Sequence, residues 1–75
     1  MSRLPTLSWR EVLKALSKAG FKPVRQRGSH IILENPEGKS ATVPKATQIK
    51  RGTLISIINQ AGLTKEQFIK MLNGE

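Results

Sequence analysis

Apolar residues recur at helical spacing through Trp9, Val12, Leu13, Leu16 and Ala19, then at every second position from Phe21, and at helical spacing again from Leu54. The first stretch predicts a helix. Ser8 followed three positions later by Glu11 is a capping-box pattern at its start, and Gly20 stops it. Arg10, Lys14, Ser17 and Lys18 fall on the opposite face of that helix, which reads as solvated or RNA-contacting. Residues 21–26 then predict a strand, placed at an edge because Pro23 has no N–H to give to a ladder. Arg27-Gly28 breaks that run, residues 29–34 form the next strand, and Asn35-Pro36-Glu37-Gly38 is a turn signal. Residues 39–43 make a third strand closed by Pro44, so the three form an antiparallel meander. A polar, basic connector spans 45–50. A second helix begins around Gly52-Thr53, with Leu54, Ile57, Ile58 and Ala61 as its buried stripe and Ile55 alongside. Gly62 ends it. Thr64 with Gln67 is a second capping box, opening a third helix that carries Phe68, Ile69, Met71 and Leu72.

The order helix, three strands, helix, helix defines an α+β fold in which a three-stranded antiparallel sheet carries its helices on one face. The chain reads as a single domain over 1–75, with residues 1–7 an irregular lead-in and 73–75 a frayed end. In the second strand, Ile31 and Leu33 share one face, and His30 shares the other with Ile32. With the helices under Ile31 and Leu33, His30 faces outward beside Arg25 and Arg27, on the uncovered side of the sheet.

Composition narrows what that side can bind. Thirteen Lys and Arg against five acids give a formal net charge of +8, so the partner is expected to be a polyanion, nucleic acid before any other class. The absence of Cys removes disulfides, thiolate metal sites and a cysteine nucleophile together, and fits a reducing compartment. All five acids are scattered glutamates, which with one His offer no metal-ligand cluster, and no cofactor is expected. No apolar stretch is long enough to span a membrane and no apolar leader precedes the first helix, so the expected location is the cytoplasm.

Two places can carry chemistry. His30 is the only imidazole, the group whose ordinary titration near neutral pH suits it to proton transfer. Cleavage of RNA by its own 2′-hydroxyl needs a base for that proton, cations for the charged phosphate and an acid for the leaving 5′-oxygen. Arg25, Arg27, Lys45, Lys50 and Arg51 are the candidate phosphate-binding cations, and the acid is unassigned. The second place is Lys50-Arg51-Gly52-Thr53, which sets two cations beside a helix start. Trp9 and Phe68 lie on apolar helix stripes and read as core; with no Tyr and only Phe21 besides, no aromatic stacking platform is expected. These residues alone leave open an endoribonuclease, a non-catalytic RNA- or DNA-binding module, and a structural or ribosome-associated protein.

The series Gln26-Arg27-Gly28-Ser29-His30, Val43-Pro44, Lys50-Arg51-Gly52-Thr53-Leu54, Ile57-Ile58 and Gln60-Ala61-Gly62-Leu63 resembles the HicA-type mRNA interferase toxins. The likeness runs over roughly residues 8–72. It implies a fold like a double-stranded-RNA-binding domain, cleavage of mRNA that depends on the histidine matching His30, and a HicB-type antitoxin that covers the active surface. Many relatives carry a further histidine two residues after the Val-Pro pair; here that position is Ala46.

Overall fold

The computed structural model describes residues 4–74. Helix α1 spans Trp9–Ser17, strands β1, β2 and β3 span Lys22–Arg27, His30–Glu34 and Ser40–Pro44, and helices α2 and α3 span Arg51–Gln60 and Lys65–Leu72. The order α-β-β-β-α-α is as the sequence predicts.

Both capping boxes form. In α1, Ser8 N–H donates to Glu11 Oε1 at 2.9 Å and Glu11 N–H to Ser8 Oγ at 3.3 Å. In α3, Thr64 N–H donates to Gln67 Oε1 at 2.8 Å and Gln67 N–H to Thr64 Oγ1 at 3.0 Å. Each pair satisfies two donors that a helix start otherwise leaves free. Helix α2 differs, beginning at Arg51, one residue before the expected start, with Lys50 as an N-cap that contributes no side-chain hydrogen bond.

The strands pair antiparallel in the order β1-β2-β3. One face of the two inner-packed strands is apolar and buried: Ile31 and Leu33 on β2, Ala41 and Val43 on β3. Against it lie Val12, Ala15 and Leu16 of α1, Leu54, Ile57 and Ile58 of α2, and Phe68 of α3, with Phe21 closing the end just before β1. No polar or charged side chain is buried among the described residues. The free edge of β3 is covered, since Gln60 Oε1 accepts from Thr42 N–H at 2.9 Å. Strand β1, in contrast, is exposed at all six residues, so it extends beyond the helices with solvent on both faces.

Four details differ from the expectations. The segment before α1 is not featureless, because Leu7 forms a β-bridge with Ile49 and both are buried. That same bridge gives the connector after β3 an apolar anchor its polar composition conceals. Ile55, expected beside the α2 stripe, is 39 % exposed because it sits one position off the Leu54–Ile57–Ile58 face. At the other end, Asn73 and Gly74 close α3 through hydrogen bonds to Ile69 O and Met71 O, and Lys18 Nζ donates to Met71 O at 2.9 Å. Residues 1–3 of the lead-in and residue 75 of the frayed end lie outside the described residues.

Candidate active site

The open face of the sheet is set by register. His30 pairs with Arg27 of β1 on one side and with Pro44 of β3 on the other; Ile32 pairs with Arg25 and Thr42, and Glu34 with Lys22 and Ser40. Directly opposed residues of an antiparallel pair point to the same face. His30, Arg25 and Arg27 therefore share the open face, as the alternation of β2 requires, and all three are exposed.

Lys22 joins them by a route the sequence did not announce. The ladder of β1 is interrupted between Pro23 and Arg25, where Val24 is an extra residue with no partner on β2. A bulge of one residue shifts the alternation by one. Strict alternation from Arg25 would put Lys22 on the helix side; the bulge returns it to the open face, opposite Glu34. The signal for it was Pro23, a residue that strands tolerate at edges and bulges. The result is a row of Lys22, Arg25 and Arg27 along β1, with His30 facing its last member.

A two-residue turn holds His30 in place. Gly28 and Ser29 join β1 to β2, and Gly28 has φ +56° while no other residue type takes a positive φ, the sign pattern of a type II′ hairpin turn with Gly first. Gln26 Nε2 donates to Gly28 O at 3.1 Å on one flank, and Lys45 N–H donates to Ser29 O at 2.7 Å on the other. The imidazole thus sits at the lip of a short hairpin fixed from both sides.

The remaining expected cations lie elsewhere. Lys45, one residue past β3, turns to the helix side, where its Nζ stands 5.1 Å from the centroid of the Trp9 ring. Lys50 and Arg51 lie at the start of α2, lining a shallow depression with Leu4, Pro5, Thr6, Gln48 and Ile49. That depression shares no residue with the His30 row. Trp9, read from the sequence as core, is half-buried, and Arg10 Cζ also lies 5.2 Å from its ring centroid. Phe68 is fully buried as expected. Among the described residues, no three His, Cys, Asp or Glu side chains are grouped to hold a metal ion, and no helix is long and apolar enough to cross a membrane.

An open, basic sheet face backed by helices, with one exposed imidazole opposite an arginine, defines a small α+β domain of three antiparallel strands and three helices. The chain belongs to the HicA toxin family of bacterial toxin–antitoxin systems, whose family model matches residues 9–63. No curated protein matches it. The match includes the Gly28–His30 turn and the Lys50–Thr53 helix start, and it ends before α3. The family is one of RNA-acting toxins paired with an antitoxin.

Proposed function

We propose that this toxin is a metal-independent endoribonuclease that cleaves mRNA with His30 and is neutralised by a HicB-type antitoxin seated over the open face. The observation that carries the reading is the placement of the only imidazole, exposed and directly opposite Arg27, at the end of a row of cations, in a chain of an RNA-acting toxin family.

The chemistry follows from those groups. His30 takes the proton of a 2′-hydroxyl, whose oxygen forms a bond to the adjacent phosphorus. Arg27 and Arg25 stabilise the extra negative charge on the non-bridging oxygens, a task to which the guanidinium fork is matched. The bond from phosphorus to the 5′-oxygen then breaks, and water or a lysine ammonium protonates that oxygen, since the chain holds no second imidazole. The products are a 2′,3′-cyclic phosphate and a free 5′-hydroxyl. No step requires a metal. Lys50 and Arg51 serve as a second phosphate contact further along the strand.

Cleavage of unstructured RNA in excess chelator, with 2′,3′-cyclic phosphate ends on the fragments, is the result expected of the purified chain. A requirement for added divalent metal, or 5′-phosphate ends, would overturn the mechanism. Lys22 gives an independent check on the face that is used. Lys22→Gln is expected to weaken RNA binding across all sequences and to reduce the slope of log affinity against log salt by about 0.7, the contribution of one phosphate contact to a single strand. An unchanged slope would remove Lys22 from the interface.

A further inference from the structure

We infer that Trp9, with Arg10 and Lys45, forms a nucleotide subsite at the His30 end of the domain, on the helix side of the sheet, that accepts an unpaired base of the RNA. The inference rests on the reading of the open face as an RNA-cleaving surface, and it adds a requirement on the substrate.

Two backbone hydrogen bonds tie the start of α1 to the turn that precedes His30. Trp9 N–H, at the start of α1, donates to Ala46 O at 3.0 Å, and Lys45 N–H, from the preceding residue, donates to Ser29 O at 2.7 Å, immediately before His30. The start of α1 is therefore held where the helix layer meets the His30 end of the sheet. Trp9 is half-buried. Arg10 and Lys45 are both exposed, and their cationic groups lie 5.2 and 5.1 Å from the ring centroid. Glu11, the acid nearest to Arg10 in the chain, is turned back onto Ser8 N–H at 2.9 Å by the capping box.

A half-buried indole with cations on flexible stems beside it suits a nucleotide. The base stacks on the ring, and the cation it displaces from a ring face reaches the neighbouring phosphate. Arginine and lysine serve that second task equally well on a single strand, where the backbone is the shared feature. Bases inside a duplex have both faces already stacked, so only a base in a single strand, loop or bulge can occupy the ring.

The test uses the fact that Trp9 is the only tryptophan of the chain, so its fluorescence reports on this subsite alone. The full-length His30→Ala chain, in which RNA stays intact, is titrated with an end-labelled unstructured RNA oligonucleotide and, separately, with its fully paired duplex. Label anisotropy measures binding and Trp9 emission measures stacking. The expected result is quenching of Trp9 by the single strand with the same midpoint as the anisotropy change, and no quenching by the duplex. Trp9→Leu is expected to weaken single-strand binding by roughly 5- to 100-fold, and Trp9→Phe by much less. The emission measurement uses native Trp9 and so stands even if the leucine variant fails to fold, which circular dichroism would show. Single-strand binding without a change in Trp9 emission would overturn the subsite and leave the RNA-cleaving reading intact. Equal quenching by the duplex would overturn the requirement for an unpaired base. Failure of both RNAs to bind would remove the RNA-cleaving reading and the subsite with it.

Discussion

Replacing His30 by alanine is expected to reduce RNA cleavage by about 10²- to 10⁴-fold, the usual contribution of a positioned general base, while leaving RNA affinity within a few-fold. The two effects separate because of where His30 sits. It is exposed at the first residue of β2, so shortening it opens no cavity and is expected to change stability by no more than about 0.5 kcal/mol. On the proposed reading, affinity depends on the cations of β1, which the substitution leaves in register. Arg27→Ala should behave differently. On the same reading it removes both a phosphate contact and a group facing the reacting phosphorus, so binding and rate are expected to fall together. Initial rates in excess chelator, measured beside label anisotropy, distinguish the variants. Undiminished cleavage by His30→Ala would place the chemistry at another group, and equal loss of binding in both variants would make His30 a contact rather than a base.

The second large effect concerns the helix that the family match omits. Phe68→Ala is expected to cost about 3–5 kcal/mol, the range for a buried aromatic truncated to alanine, and so to unfold most of the isolated chain. Phe68 is fully buried and is the only buried side chain of α3. A domain of this size draws no more than a few kcal/mol from its single core, and no disulfide supplements it. Loss of a cooperative thermal transition, followed by far-ultraviolet circular dichroism, is the expected observation. A melting temperature within a few degrees of the wild type would make α3 an appendage, with its packing against α1 contributing little.

The elements were legible in the sequence where a local signal coincided with the tertiary outcome. Ser8 with Glu11 and Thr64 with Gln67 each specify a helix start through side chains three residues apart, and both form as written. Asn35-Pro36-Glu37-Gly38 likewise becomes a turn, Asn35 Oδ1 accepting from the N–H groups of Glu37 and Lys39. The shared face of His30, Arg25 and Arg27 was legible because β2 alternates without interruption and the hairpin turn has two residues. Lys22 was not, since its face depends on an irregularity in the ladder that composition only hints at. Nor was the Leu7–Ile49 bridge, a pairing of single residues 42 positions apart with no periodicity on either side. For Trp9, spacing on a helix stripe correctly indicated contact with the core, but spacing cannot show how much of a large ring overhangs it.

Val24 makes the length of β1 adjustable. Without it, Lys22, Pro23, Arg25, Gln26 and Arg27 would meet Glu34, Leu33, Ile32, Ile31 and His30 in one continuous ladder, every cation still on its present side. A codon can therefore be lost at this point with the basic row intact. The Gly28-Ser29 turn has no such slack, because one residue more or fewer there would reverse the side on which every residue of β1 faces relative to His30. Gaps in this part of the gene should be found at Val24, while the spacing from Arg27 to His30 stays fixed.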